Sequence, residues 1–200
     1  MKKLLGIMVL GLMFISGTIP SKADDIRDFE IEGMSIGDSL LDYFSEEEII
    51  KHKRHAETNI NELKEKFSIT SIIDSKIKEY DSIDFYLKTN DNKYEIYAIN
   101  AIIWFPNQID KCKIKKTEVL NALEKTLKEK FITGKLSHQI DKSGKSIQYQ
   151  SYFSYESGAN VRVECYDWTK KMKKKYNFQD NFSVSLISKQ MQEWFDSNNN

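Results

Sequence analysis

The stretch "IDFYLKTNDNKYEIYAINAIIWF", residues 83–105, decides how this chain can fold. Ile83, Phe85 and Leu87 recur at every second position, the period of a strand with one buried face. Thr89-Asn90-Asp91-Asn92-Lys93 then supplies side chains that tolerate tight turns, and Tyr94 to Phe105 reads as a longer strand ended by Pro106. Strands joined by so short a turn must run antiparallel, because a parallel return needs a crossover of a dozen or more residues.

Working outward, "FSITSII" places Phe67, Ile69, Ser71 and Ile73 on one strand face. Residues 117–131, "TEVLNALEKTLKEKF", form a helix whose buried stripe is Val119, Leu120, Leu123, Leu127 and Phe131. A polar loop, "DKSGKS" at 141–146, precedes the strands "IQYQSYFSYE" and "ANVRVECYDW", which Ser157-Gly158 joins. A basic loop, the strand "FSVSLIS" and a short helix around Trp194 complete the chain. Near the start, a short strand is expected at "DFEIEG", followed by a helix capped by Ser35 and Asp38 with Ile36, Leu40, Leu41 and Phe44 inward. Ser45 and Glu48 repeat the capping pattern and open a second helix with three acids in its first turn. The order is helix then three strands, twice. The expected fold is α+β: a two-layer antiparallel sheet with helices on one face.

The first residues explain the address. Lys2 and Lys3 precede the apolar run "LLGIMVLGLMFIS", and Ser21-Lys22-Ala23 places small residues at the −3 and −1 positions of a signal-peptidase site. The run is shorter than the roughly 20 residues that a spanning helix needs. Residues 1–23 therefore read as a signal peptide and residues 24–200 as a single domain without a transmembrane segment, periplasmic or secreted after cleavage near Ala23. Left uncleaved, the leader would tether the domain to the inner membrane. The leader holds Lys2, Lys3 and Lys22, so its loss leaves 27 basic against 30 acidic residues, a balance that implies no nucleic-acid partner. Two cysteines, Cys112 and Cys165, make an even count for an oxidising compartment and are expected to pair.

Four segments, "EIEGMSIGDSLLDYFSEEEI" (30–49), "KTNDNKYEIYAI" (88–99), "DKSGKS" and "VECYDWTKKM" (163–172), resemble those of a group of small exported proteins of marine bacteria. That resemblance implies export and carries no activity with it. Gly33-Met34-Ser35, with helices before three strands, is also similar to the small outer-membrane assembly lipoproteins and the β-lactamase-inhibitor-like fold, a likeness of layout alone.

Gly37-Asp38-Ser39-Leu40 spells the nucleophile block of the GDSL hydrolases, which makes Ser39 the one candidate catalytic residue and a GDSL-like esterase the alternative function. Those enzymes need an oxyanion donor from G-x-N-D and a base from D-x-x-H. Here Lys88 stands where the glycine of "KTND" belongs, and Lys135 stands three residues before His138. A serine without a positioned base is an ordinary alcohol, and capping accounts for this stretch by placing Ser39 inside the first helix. Glu48, His52 and His55 lie along one flank of the next helix, and His52 with His55 are the candidate metal ligands. Lys53 and Arg54 between them oppose a cation, so surface histidines, no metal and no cofactor are expected.

The run Lys170, Lys171, Lys173, Lys174 and Lys175, flanked by Trp168 and Tyr176, reads as a solvated loop or a contact for acidic lipid, lipopolysaccharide or an acidic protein. Strand alternation sets Tyr149, Phe153 and Tyr155 on one face and Tyr152 on the other. Val161, Val163 and Cys165 mark the Phe153 face as the buried one, which leaves Tyr152, Arg162, Glu164 and Tyr166 as an outward surface for an envelope protein or glycan. A non-enzymatic binding domain is the expected function.

Overall fold

The computed structural model describes residues 26–54, 66–127 and 130–198. It is α+β with an antiparallel sheet. The strands are β1 (Lys53–Arg54), β2 (Phe67–Ile72), β3 (Ser82–Lys88), β4 (Ile96–Trp104), β5 (Ile132–Ser137), β6 (Ile147–Ser154), β7 (Asn160–Asp167) and β8 (Asn181–Ile187). The helices are α1 (Glu46–Lys51), α2 (Ile109–Leu127), α3 (Lys170–Tyr176) and α4 (Lys189–Asn198). Hydrogen bonding runs in the order β1-β2-β3-β4-β8-β7-β6-β5. The chain divides into two compact units, and β4, β7 and β8 contribute residues to both. No helix among the described residues is long and apolar enough to cross a membrane.

The first unit holds β3 and β4 as far as Ala101. Asp91 closes the β3–β4 turn by accepting from the backbone N–H groups of Lys93 and Glu95, while Asn90 and Tyr94 take left-handed φ of 65° and 52°. Ile83, Phe85 and Leu87 are all buried on one face, as their period required. Phe67 and Ile72 are buried on β2, but the strand stops before Ile73, which is 67% exposed. Phe85 packs against Phe44, and the next residue, Tyr86, packs from the opposite face against Phe195 of α4. In this unit the sheet is thus covered on both faces, where one was expected. The terminal helix docks: Met191 and Trp194 are buried with Phe67, Tyr97, Ala98 and Ile187.

The N-terminal expectations need correction. "DFEIEG" is not a strand; Ile31 and Met34 exchange backbone hydrogen bonds across a tight turn in which Glu32 (φ 55°) and Gly33 (φ 78°) are left-handed. The helix expected from Ser35 to Phe44 is a single 3₁₀ turn, Leu40–Asp42. Gly37 at φ 92° explains this, because a right-handed helix cannot pass through a left-handed residue. The capping pair survives without its helix, since the Ser35 N–H donates to Asp38 Oδ2 at 2.8 Å. At Ser45 the full capping box forms and α1 follows.

The second unit is built around α2, which begins eight residues earlier than its apolar stripe suggested. Cys112, Lys116, Val119, Leu123 and Leu127 form the buried line. Leu120 is half-buried, and Phe131 is buried beyond the helix against Phe153. Cys112 and Cys165 are joined by a disulfide with Cα atoms 6.0 Å apart. On the chain-entropy model, closing a loop with a sequence separation of 53 stabilises by about 4 kcal/mol. Immediately after α2 lies a strand that the sequence did not disclose, β5, exposed along all six of its residues.

Candidate functional site

The expected binding residues lie on β6 and β7 of the second unit. Val161, Val163 and Cys165 are fully buried, Ser151 is buried beside them, and Lys113 of α2 sits over the Tyr149 ring at 4.4 Å. With Phe153 against Phe131, this is the face that α2 covers. Alternation then sends Tyr152, Arg162, Glu164 and Tyr166 to the other face. The β5–β6 register sets Ile132 opposite Tyr152, Gly134 opposite Gln150 and Leu136 opposite Gln148, so β5 extends the same surface. Ile132 is 60% exposed and Leu136 50%.

The four nominated residues are not equivalent. Tyr152, Arg162 and Tyr166 are half-buried, whereas Glu164 is buried. Gln148 Nε2 donates to Glu164 Oε1 at 2.6 Å and the Tyr166 hydroxyl donates to Oε2 at 2.8 Å. Glu164 thus lies buried with Gln148 and Tyr166 bonded to it, where an outward residue was expected.

An aromatic group that the sequence did not assemble borders this surface. His138 lies 4.4 Å from Trp168 and 5.6 Å from Tyr166 by ring centroids. Trp168 contacts Phe178 at 4.5 Å, and Phe178 stacks with Tyr176 at 5.3 Å. His138 Nδ1 accepts from the Ile140 N–H at 3.3 Å, so the neutral ring carries its proton on Nε2. Burial lowers its pKa, with Asp141 opposing. The "DKSGKS" loop is an organised knot: Asp141 accepts from the N–H and hydroxyl of both Ser143 and Ser146 and from the Thr169 hydroxyl. These bonds hold its carboxyl well below the usual range.

The basic run is a helix, α3, and not a loop. Thr169 caps it, Met172 is buried beneath it and Asn177 ends it at φ 56°. Lys173 donates to buried Asp180 at 2.6 Å and to Asn107 Oδ1 at 3.1 Å, while Lys175 lies over Tyr176. Asp180 also accepts from the N–H groups of Trp168 and Asn107. At least one of the five lysines is thus structural.

The remaining candidates lie in the first unit. Ser39 is outside any helix, at φ −83° and ψ 126°; its hydroxyl donates to the Lys93 carbonyl at 2.7 Å and accepts from the Leu41 N–H. Its geometry is that of a cap on the 3₁₀ turn. Glu48 has both oxygens engaged, one by Ser45 and one by Lys76, and those bonds lower its pKa to about 2. His52 is the C-cap of α1, and its proposed companion His55 lies outside the described residues. Among the described residues no three His, Cys, Asp or Glu side chains gather as a metal site. No protein-family model, curated protein or solved structure matches this chain.

Proposed function

We propose that the chain is an exported binding domain that works without catalysis, engaging a protein of the cell envelope through the outward face of β5, β6 and β7. The observation that carries this reading is the surface itself. Exposed Ile132 and Leu136 continue into Tyr152, with Arg162 and Tyr166 alongside and a buried carboxylate fixing the Tyr166 hydroxyl. Apolar and aromatic area held rigid, with an arginine beside it, is the composition that protein interfaces favour. The disulfide supports an oxidising address, and the leader read from residues 1–23 supplies the route. The likeness to exported marine-bacterial proteins belongs to the same proposal, as does a second unit layered as helix on sheet.

Tyr152→Ala and Arg162→Ala test the reading against Phe153→Ala, which alters the α2 side. Envelope extract passed over immobilised chain should yield a partner whose retention drops in the first two variants while their melting temperatures stay near wild type. Phe153→Ala should instead lower stability by about 2 kcal/mol, since the ring is half-buried against Phe131. Equal retention by wild type and Tyr152→Ala, or retention of a glycan in place of a protein, would refute the proposal. Ester hydrolysis lost in Ser39→Ala would refute it from the other side.

A further inference from the structure

The outer edge of β5 is the end of the sheet. β5 ends the strand order, so among the described residues one side of it carries no strand. The His138 N–H donates to the Ser146 carbonyl at 2.8 Å, which fixes the phase of the β5–β6 ladder. With that phase, residues 132, 134, 136 and 138 bond inward to β6, and the backbone N–H and C=O of Thr133, Lys135 and Ser137 point out along the free edge. Natural edges of this kind are blunted by charge, proline or a bulge, because unpaired backbone is a template for another strand. In β5 the charge is one lysine, and the strand contains no proline.

The sequence along this edge reads the same in both directions about Gly134: Ile132, Thr133, Gly134, Lys135, Leu136 is apolar, polar, glycine, polar, apolar. Two antiparallel copies must pair through the outward residues, which leaves few registers. A two-fold axis at Lys135 sets lysine directly against lysine, a repulsive pair. An axis at Thr133 sets Ile132 against Gly134. An axis at Gly134 makes Thr133 and Lys135 the hydrogen-bonded pairs, so no like charges meet. It also makes Ile132 opposite Leu136 and Gly134 opposite Gly134 the non-hydrogen-bonded pairs, where side chains come closest. Two exposed apolar residues per copy are then covered together. Space at the axis is available, since a Cβ added to Gly134 would meet nothing within 4 Å.

From this we propose that the protein forms a two-fold dimer by antiparallel pairing of β5 with β5 of a second copy, centred on Gly134. The pairing is isologous, so it closes at two chains and does not run on into a fibre. It joins the two outward faces into one continuous surface. It does not depend on the envelope partner, and either idea can fail alone.

Sedimentation equilibrium of the chain purified from an exporting host, at concentrations up to roughly 100 µM, should show a dimer. Lys135→Pro removes an outward N–H without touching the β6 ladder, and Leu136→Lys adds a charge to the apolar pair. Each should weaken dimerisation by at least about tenfold with the melting temperature unchanged. If Lys135→Pro fails to fold, Leu136→Lys still decides. The register has its own readout: facing Gly134 Cα atoms would lie about 4.5 Å apart, within disulfide reach, so Gly134→Cys should cross-link spontaneously and Lys135→Cys should not. A monomer at all concentrations, a dimer indifferent to both variants, or cross-linking through position 135 in place of 134 would overturn the proposal.

Discussion

Replacing Lys116 by methionine should make this protein more stable. Lys116 occupies the buried line of α2 between Cys112 and Val119 and is 7% exposed. No carboxylate among the described residues comes within ion-pair distance of it. Burial lowers its pKa, and Glu164 pulls it partly back. Apolar replacement of buried ionic groups is neutral to stabilising by about 1–4 kcal/mol. Because the ammonium keeps slight exposure and a distant carboxylate, the lower end applies, and Lys116→Met should gain about 1 kcal/mol at pH 7. Methionine matches lysine in helix propensity and replaces its apolar stem, so neither backbone nor packing confounds the comparison. The pH dependence has a definite sign. Between the depressed native value and the unfolded value of roughly 10.4, the unfolded chain binds more protons, so wild-type stability rises with pH through that window. The variant lacks this rise. Urea unfolding at pH 7 and pH 10 should show an advantage for methionine at the first that shrinks at the second. A variant less stable than wild type at pH 7, or a difference indifferent to pH, would refute the reasoning.

Lys173→Met should destabilise by about 3 kcal/mol in urea unfolding, because Asp180, 2% exposed, would keep a buried charge without its cation. Adding Asp180→Asn should recover part of that loss. Replacing both cysteines by alanine should cost about 3 to 4 kcal/mol, measured against wild type without reductant. Asp141→Asn should lower the melting temperature at pH 7. Its native carboxyl titrates below the unfolded one, so the contribution is complete above the unfolded value and lost as pH falls through the native one. The gap between variant and wild type should accordingly close in acid.

What could be read from the chain, and what could not, divides along burial. The β3–β4 hairpin was legible because Ile83, Phe85 and Leu87 alternate on a half-buried surface and the turn residues are unambiguous. The start of α2 was not, because Lys116 interrupts the apolar stripe that marks a helix and hides the turns before it. β5 left no trace for the opposite reason: with every residue exposed, it has no buried face to impose alternation. The N-terminal helix was not legible because Ser35 and Asp38 make a capping bond without a helix, and Gly33 and Gly37 serve left-handed turns. At the candidate site, alternation placed Tyr152 and Phe153 on opposite faces, yet it could not foresee that Gln148 and Tyr166 would close over Glu164. Side-chain length, which alternation ignores, decides that.

The fasteners of the second unit all act on the strands that carry the proposed surface. The disulfide fixes β7 to α2 from one face. The Asp141 knot ties the β5–β6 connection to Thr169, just past the end of β7 and at the start of α3. Asp180 gathers Lys173, Asn107 and the Trp168 backbone at that same end of β7. The Asp180 cluster uses buried ionic chemistry where a hydrophobic contact would have served stability as well or better. What such links add is a restricted geometry, and restricted geometry matters most for a surface whose ordering would otherwise have to be met at the moment of binding. Ser39 is committed to a cap, Asp141 to the N–H and hydroxyl groups of its own loop and Lys173 to Asp180, so this polar chemistry serves shape. That allocation supports the proposed role in recognition.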